Sequence, residues 1–489
     1  MGISSLRSHT ERNFEPNIAM DSPVKDSFAA FRTSQGQELR GNLLRFTRHL
    51  AVFEICNPIS VVQTSEVLSE FKIVWNDRVL YSGRAVVCNL VNTGLLTVCE
   101  ATLGDSWVDV DFSVSGPTAD LGPQFSLFLA EWQKLYRVLP EYKVVVADLQ
   151  TFLAEVRLWL EQVELGIRGS PAGDRISLER EVAQRLEPQV VPPIVSLFDR
   201  FEAVAQRIED DLQPAHRAFA KRQVHPLLLC SPFVYRTFQK PLGYAGDYEV
   251  VNMMFRDPYE GGSLFAKMIN AYALQLPPII AHRNRITFLA DRLAEETLRV
   301  ARQNRVTRVF NLGCGPAQEI QRFLAGNPLC DMTSFTLCDF NEETVAHASR
   351  TLNELKRRHG RRTQLQVVKK SVQQLLKQAD RTIQYAANEQ YDLVYCAGLF
   401  DYLQDKVCRK LMTVFYEMLA PGGLLLVTNV DMHPSRAEME CFLEWHLIHR
   451  NTQRMAELVP AGIPRDDMVI KRDPTGVNLF LELRRPQHV

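Results

Sequence analysis

The stretch that decides the fold is residues 308–317, which read R-V-F-N-L-G-C-G-P-A. A short apolar run ends there in a loop that contains Gly313 and Gly315, and a helical pattern begins at Gln318. Glycines allow the backbone to turn sharply and to approach a ligand closely. The free N–H groups at the start of the helix point toward whatever is bound. The stretch therefore predicts a nucleotide-type binding loop between a strand and a helix.

A second apolar run narrows the choice of nucleotide. This run covers residues 334–338 and is followed by Asp339, roughly 20 residues after the glycines. A carboxylate at the end of the second strand is the usual acceptor for both ribose hydroxyls. A dinucleotide-binding loop would have a third glycine where this chain has Gln318, and Pro316 follows the glycine pair. The loop therefore favours an adenosyl ligand without pyrophosphate over a dinucleotide, and over an ordinary turn that binds nothing.

The rest of the C-terminal region alternates between strand and helix patterns. The predicted elements are a strand at 391–396, a helix at about 403–418, a turn at 421–423, a strand at 424–427, a helix at around 435–455, and strands at 468–471 and 477–483. Strands that alternate with helices imply a parallel sheet with right-handed crossovers. The last two strands have no helix between them, which predicts an antiparallel closing strand.

These motifs, in this order, resemble the class I S-adenosylmethionine-dependent methyltransferases. The series is Gly-x-Gly, an acidic strand end, Tyr-Asp-Leu-Val at 391–394 and Leu-Ala-Pro-Gly-Gly at 419–423. The resemblance implies an α/β fold with a Rossmann-like sheet, and S-adenosylmethionine as the cofactor. Asn311 departs from the Asp or Glu of many class I enzymes, and Ser371 stands near the position of an adenine-binding acid.

Length and composition set limits on the class of protein. A chain of 489 residues is long enough for about two or three domains. A net charge of −1 gives no global field that would attract nucleic acid. No apolar stretch approaches the length of a membrane span. The ten cysteines form no C-x-x-C pair and have no histidines at zinc spacing, so we expect no metal site, reduced thiols and a cytoplasmic location.

Two further regions precede the sheet, which is expected over 301–489. Residues 1–25 are expected to be disordered, and 26–118 to form a small antiparallel barrel. The predicted barrel strands are 50–55, 71–75, 79–87 and 95–99, with a hairpin turn at Asn76-Asp77. The barrel resembles a PilZ-like domain, although the arginine and strand motifs that grip cyclic di-GMP do not survive clearly around Arg45 and Arg48.

Residues 119–300 have the apolar spacing of helices and are expected to cap the sheet and contact the substrate. The helices are predicted at 125–136, 144–163 and 178–207, the third kinked or split at Pro192-Pro193. Residues 240–249 contain two glycines and two tyrosines between helices. Ordering such a stretch costs entropy, so it is expected to line a site.

The whole chain also resembles a bacterial group described as biosynthesis proteins for the extracellular factor 3-hydroxypalmitic acid methyl ester. The shared text is K-P-L-G-Y-A-G-D-Y at 240–248, Y-C-A-G-L-F-D-Y-L at 395–403 and W-H-L-I-H-R at 445–450. The resemblance implies methyl transfer to the carboxylate of a small, lipid-like acid such as a 3-hydroxy fatty acid. It also suggests a link to quorum sensing.

The motifs and the resemblance assign roles to individual residues. Cofactor contacts are expected from Asn311, Gly313, Gly315, Asp339, Phe340, Ser371, Ala397, Gly398 and Phe400. Catalytic and lid roles are expected for Asp401, Tyr244, Asp247 and Tyr248. Acceptor contacts are expected from Arg283, Arg285, Tyr402, Trp445 and Arg450. Whether a general base is needed stays open, with Asp401, His446 and Asp247 as candidates.

Several alternatives also remain open at this point. The acceptor could be a protein or another metabolite, and decarboxylated cofactor would support aminopropyl transfer instead. A regulatory protein would bind cofactor without turnover and would sense cyclic di-GMP through Arg45 and Arg48. The sequence does not predict the oligomeric state.

Overall fold

The structure is a computed structural model that describes residues 27–56, 62–75, 78–92, 96–104, 106–107, 126, 129, 137–169, 171, 174–379, 390–466 and 468–487. Three predictions fall largely or wholly outside the described residues, namely the disordered segment at 1–25, the turn at Asn76-Asp77 and the helix at 125–136. Nowhere in the described part of the chain is there a helix with the length and apolarity needed to cross a bilayer.

The N-terminal region is a closed six-stranded barrel in the order β1-β2-β3-β6-β5-β4. The strands are β1 (Phe28–Arg32), β2 (Glu38–Phe46), β3 (Leu50–Cys56), β4 (Val67–Trp75), β5 (Arg78–Asn92) and β6 (Leu96–Leu103). Alternate residues point inward, where Phe31, Phe53, Phe71 and Tyr81 form an aromatic core. The sequence did not predict β1 or the greater part of β2, because β2 is largely exposed and shows little apolar alternation.

A helical layer follows the barrel along the chain and precedes the sheet. Its helices are α1 (Pro140–Arg168), α2 (Arg175–Ala205), α3 (Gln213–Leu228), α4 (Pro232–Gln239), α5 (Tyr248–Met253) and α6 (Leu264–Ala273). The third helix was predicted to be kinked or split at Pro192-Pro193; it is not split, since α2 continues through both prolines, and the kink stays a prediction. Val190, Val191 and Ile194 are buried in the core of this layer, and this packing offsets the hydrogen bonds that proline removes.

The C-terminal region is a seven-stranded sheet in the order β12-β13-β11-β10-β7-β8-β9. The strands are β7 (Thr307–Leu312), β8 (Thr333–Asp339), β9 (Gln364–Lys369), β10 (Tyr391–Cys396), β11 (Leu419–Val430), β12 (Met468–Arg472) and β13 (Asn478–Arg484). The helices are α7 (Pro277–Ala301), α8 (Gln318–Gly326), α9 (Glu342–Arg358), α10 (Val372–Ala379), α11 (Asp405–Glu417), α12 (Arg436–Phe442) and α13 (Thr452–Ala456). Separate apolar clusters cover the two faces of the sheet, which is the layering of an α/β fold.

The predicted antiparallel closing strand is confirmed, because β13 pairs antiparallel with both β11 and β12. The predicted turn at 421–423 is instead the irregular start of β11. The strand β9 was not predicted, since it is mostly half-exposed and polar.

The predicted helix at 435–455 was wrong. The structure has two short helices, α12 and α13, and the segment between them is irregular, so Trp445 and Arg450 do not lie on a helix. Glu444 has a left-handed φ of 48°, which ends the helical path. The chain then runs along the sheet, where Ile448 N donates to Asp401 O and Arg450 N donates to Val430 O. These backbone bonds replace the ones that a continuous helix would have made.

Candidate active site

A cavity opens at the carboxyl ends of β7, β8 and β10. β7 lies between β8 and β10, so connections leave it toward both sides of the sheet. Ligands of open α/β sheets bind in the crevice that this arrangement creates. The helical layer and the barrel supply the remaining walls. Of the predicted site residues, the cavity is lined by Asn311, Gly313, Gly315, Asp339, Phe340, Ser371, Ala397, Gly398, Tyr244, Tyr248, Asp401, Tyr402, Arg285 and Trp445.

The glycine loop turns back against the end of β8. Gly313 N and Cys314 N both donate to Cys338 O, at 2.8 and 3.1 Å. Gly313 and Gly315 have φ values of 73° and 51°, a region that side chains disfavour. A Cβ on Gly315 would meet no protein atom within 4 Å, so the conformation of the backbone, rather than crowding by the protein, explains this glycine.

Asp339 stands at the end of β8 and faces the glycine loop. Its Oδ2 accepts a hydrogen bond from Gly315 N and its Oδ1 accepts one from Asn341 N, both at 3.1 Å. Burial raises the pKa of the carboxyl group to about 6, although the backbone donors act in the opposite direction. The loop and the carboxylate are thus already fixed relative to each other.

Residues 240–248, which we call the strap, pass over this end of the cavity. The Tyr244 ring packs on Phe340 with 5.0 Å between ring centroids, and its hydroxyl lies 3.3 Å from Thr344 Oγ1. The Tyr248 hydroxyl donates to Glu343 at 2.7 Å. The strap is therefore attached to the beginning of α9.

Asp247 holds the strap in place and does not line the described part of the cavity. Its carboxylate pairs with the guanidinium of Arg236 at 2.9 Å and accepts from the N–H groups of Glu249 and Val250, capping α5. The side chain is fully buried. These contacts favour a positioning role for Asp247, so its predicted direct role in catalysis stays a prediction.

Arg285 extends from α7 to the floor of the cavity. Its guanidinium lies 2.8–3.1 Å from the point where a Cβ on Gly398 would stand, so a side chain at 398 would displace it. It contacts the ring of His282, and its Nε is buried without a partner among the described residues. Burial lowers the pKa of Arg285, while the charge of Asp401 raises it. Within the described parts of the chain, no carboxylate forms a salt bridge with this cation.

A pair of hydrogen-bonded aromatic residues, Tyr402 and Trp445, also lines the cavity. Trp445 Nε1 donates to the Tyr402 hydroxyl at 2.9 Å. A Cβ on Gly246 would come within 3.1 Å of both, so this strap glycine lets the backbone pass closely over them. Asp401 lies beneath, where its Oδ1 accepts from Val430 N at 2.6 Å and burial raises its pKa.

Four other predicted residues lie outside the cavity lining of the described chain. Phe400 is buried in the apolar core, and the side chain of Arg283 donates to Leu274 O. His446 is buried, and its backbone bonds to the barrel residue Ser65. Arg450 is 0% exposed and its guanidinium binds groups at the end of the sheet. Cofactor contact by Phe400, acceptor contact by Arg283 and Arg450, and His446 as a base are therefore not favoured by this geometry.

The sequence did not predict several residues that line the cavity. Glu319 lies in the first turn of α8, and its position directly after the glycine loop was a signal that could have identified it. His282 lies one turn before Arg285 on α7. Gln35, Gln63 and Thr64 come from the barrel, and no local pattern links such distant residues to the glycine loop.

The barrel is joined to the strap and to the segment around Trp445. Val67 N donates to Gly243 O at 2.8 Å, and Ser65 Oγ donates to His446 O at 2.8 Å. Arg84 forms a 2.8 Å ion pair with Glu444. The exposed residues Arg45 and Arg48, named as cyclic di-GMP contacts, are not among the described residues that line this cavity.

The comparison with protein families adds to this geometry. The model described as a methyltransferase domain matches residues 310–425, which begin in β7 and end in β11. The sheet has the class I methyltransferase fold. No relative among curated proteins matches the sequence.

Solved structures resemble the chain only distantly. A possible exported protein from Bordetella parapertussis has 17% identity over 65% of this chain and 99% of its own, with a TM-score of 0.39. Magnesium protoporphyrin IX methyltransferase from Synechocystis PCC 6803 has 12% identity over 42% of this chain and 84% of its own (TM-score 0.29). The N-methyltransferase NodS from Bradyrhizobium japonicum WM9 has 17% identity over 51% and 99% (TM-score 0.29). These TM-scores are too low to carry any argument about what this chain acts on.

Proposed function

We propose that the protein is an S-adenosylmethionine-dependent methyltransferase that methylates the carboxylate of a small, lipid-like acid such as a 3-hydroxy fatty acid. We infer a carboxylate acceptor from Arg285, which is a buried cation at the floor of the cavity and forms no salt bridge within the described residues. A buried charge is costly unless it is paired, so Arg285 is suited to bind an anion.

The cavity suits a positively charged adenosyl cofactor. Asp339 has the position and the acceptor oxygens for ribose hydroxyls, and Phe340 follows it beside the strap. The charged residues of the lining are three carboxylates and two cations, namely Glu319, Asp339, Asp401, Arg285 and Lys370. This excess of negative charge favours a sulfonium ion over a phosphate-bearing nucleotide.

A carboxylate acceptor fits the chemistry that these side chains offer. When bound, S-adenosylmethionine supplies its methyl group: a C–O bond to the acceptor forms as the C–S bond breaks, and the sulfur keeps the electron pair. A carboxylate is ionised at neutral pH and needs no general base. The protein then has to orient the acceptor and exclude water, and positioning alone contributes about 7–11 kcal/mol to such reactions.

The apolar part of the cavity lining supports a lipid-like acceptor. A fork of guanidinium N–H groups binds a carboxylate through two parallel hydrogen bonds. Apolar side chains that would accommodate an alkyl chain line the same cavity, namely Val251, Met254, Ile279, Ile286, Leu289, Met439 and Leu447. Such a pocket, apolar with few polar groups, is typical of small-molecule sites.

The test of this function is a direct assay of methyl transfer. Purified protein is incubated with methyl-labelled S-adenosylmethionine and 3-hydroxyhexadecanoic acid, and the product is identified by mass. We expect a labelled methyl ester, and we expect none when the acid is replaced by its amide. Label in an amine, a protein or a hydroxyl group would contradict the carboxylate proposal, and loss of cofactor without label transfer would contradict methyl transfer itself.

The pH dependence of cofactor binding tests the role of Asp339. Its pKa is raised to about 6, so the carboxylate is ionised above that pH and protonated below it. An ionised carboxylate accepts from both ribose hydroxyls, so affinity for S-adenosylhomocysteine should be constant above about pH 7 and fall as the pH drops through 6. Asp339→Asn should weaken binding by about 1–3 kcal/mol at pH 7.5 and abolish this fall. Calorimetric titrations at several pH values measure both, and the same pH profile in the Asn variant would rule out Asp339.

Loosening the strap tests whether its position matters for turnover. Asp247→Asn removes the ion pair to Arg236 but keeps an acceptor that can cap α5. We expect the rate of methyl transfer to fall about 10-fold, because losing one charge-assisted contact costs about 1.5 kcal/mol. Tyr235→Phe, at an exposed position on the neighbouring helix, is the matched control. An unchanged rate in the Asp247 variant would make the strap a passive support.

A further inference from the structure

Glu319 brings a carboxylate to the end of β7, where this chain has Asn311 in place of the Asp or Glu of many class I enzymes. Glu319 comes from the first turn of α8, yet its carboxylate reaches back to Asn311 at the end of β7. The Tyr395 hydroxyl donates to Glu319 Oε1 at 2.7 Å, and Asn311 Nδ2 lies 3.4 Å from the same oxygen. Glu319 is only 4% exposed and Asn311 only 2%, and both line the cavity beside the glycine loop.

Two acceptor atoms, Asn311 Oδ1 and Glu319 Oε2, receive no hydrogen bond from a described side chain. Asn311 directs its NH₂ group to Glu319, and its Oδ1 is buried without a hydrogen-bond partner among the described residues. Among the described residues, the side chains that donate to Glu319 are Tyr395 and Asn311, and both donate to Oε1. No described side chain donates to Oε2. No cation of the described residues forms a salt bridge with Glu319; burial raises the pKa of its carboxyl group, and the charge of Arg285 acts in the opposite direction. A buried carboxylate without a salt bridge and a buried amide oxygen without a donor are both costly, unless a ligand supplies the missing partner.

We propose that Glu319 and Asn311 bind the α-ammonium group at the amino-acid end of the cofactor. This inference rests on the proposed function and assigns one end of its cofactor to residues of this chain. An ammonium group is a compact cation with three N–H donors and no acceptor, which complements a site made of acceptors only. Tyr395 has a positioning role, since its hydroxyl fixes the oxygen of Glu319 that faces away from the ligand.

A purely structural role for the cluster explains less. If Glu319 only tied α8 to β10 through Tyr395, a glutamine would serve equally well and would carry no buried charge. The orphaned Oδ1 of Asn311 would also have no reason to persist beside the cavity, because such groups in native proteins are nearly always satisfied. A bound ammonium group would account for both the buried charge of Glu319 and the unpaired Oδ1 of Asn311.

A pair of ligands that differ only in this end tests the inference. S-Adenosylhomocysteine carries the ammonium group, and 5′-methylthioadenosine has the same adenosyl thioether without the amino-acid end. Glu319→Gln should weaken S-adenosylhomocysteine about 10- to 100-fold in calorimetric titrations, the usual effect of losing a hydrogen bond between charged groups. Affinity for 5′-methylthioadenosine should stay within about twofold of the wild type.

Two further variants keep the test decisive. Asn311→Leu, which has nearly the same shape, should also weaken S-adenosylhomocysteine selectively, and Tyr395→Phe should do so by a smaller factor. Melting curves confirm that each variant is folded. Equal losses for both ligands, or no loss for either, would overturn the inference while leaving the methyltransferase proposal intact. If neither ligand binds the wild-type protein, the proposed function itself fails and this inference fails with it.

Discussion

Replacement of Arg285 by glutamine should lower kcat/KM for a carboxylic acid acceptor by about 30- to 5000-fold. Removing one partner of a buried charge pair costs about 2–5 kcal/mol, which corresponds to that range. Arg285 is only 7% exposed, and its guanidinium lies against the backbone at Gly398 on the cavity floor. A glutamine side chain is too short to reach the same position and carries no charge. Steady-state methyl transfer to 3-hydroxyhexadecanoic acid measures the loss.

Arg283→Gln provides the matched control for this experiment. Arg283 lies on the same helix, but its side chain donates to the carbonyl of Leu274 and not to the cavity. Its replacement should change kcat/KM only a few-fold. The affinity of the Arg285 variant for S-adenosylhomocysteine is measured in parallel. A selective loss of this affinity, with 5′-methylthioadenosine unaffected, would move Arg285 from the acceptor to the carboxylate of the cofactor.

Replacement of Arg450 by methionine should destabilise the fold by about 3–5 kcal/mol, because three oxygens of buried residues lose their donor at a cost of about 1–3 kcal/mol each. The guanidinium is 0% exposed and makes five hydrogen bonds, to Phe400 O, Leu403 O, Asn429 Oδ1 and twice to Asp405 Oδ1. This uses every N–H donor that arginine has. Methionine would leave the Asp405 carboxylate and three carbonyl-type oxygens without this donor.

Urea unfolding of the wild type and the variant measures this difference, and Arg454→Met is the control. Arg454 also contacts Asp405, at 3.5 Å, but it is exposed and should contribute less than about 1 kcal/mol. A variant of Arg450 that is as stable as the wild type, but has lost turnover with the acid, would restore the acceptor role that the sequence suggested.

The parts of the site that follow from neighbouring residues could be predicted from the sequence. A glycine loop after an apolar strand and an acid at the next strand end are local patterns, and the structure brings Gly313, Gly315 and Asp339 together. The alternation of strands and helices likewise predicted the sheet and its antiparallel closing strand. Residue roles inside the cavity remain predictions, because the fold places side chains without showing what they bind.

The predictions that were wrong concern parts of the fold that depend on contacts between distant segments. The apolar spacing at 435–455 fits a helix, but Glu444 adopts a left-handed conformation and is held by Arg84 of the barrel and by Lys221 of α3. Arg450 belongs to the W-H-L-I-H-R motif, yet its side-chain partners come from two other stretches of the chain, residues 400–405 and Asn429. Neither the burial of Arg450 nor the barrel residues in the cavity wall can be read from local periodicity.

The bond between Ser65 and His446 spans 381 positions of the chain, and it lies next to Thr64 and Trp445, which both line the cavity. Ser65 therefore leaves the ribosome long before His446 has been synthesised. Because domains fold as units while synthesis proceeds, the barrel can form early, but its contact with this segment has to wait until His446 has emerged. We therefore expect a chain that ends before His446 to lack this contact between the barrel and the site.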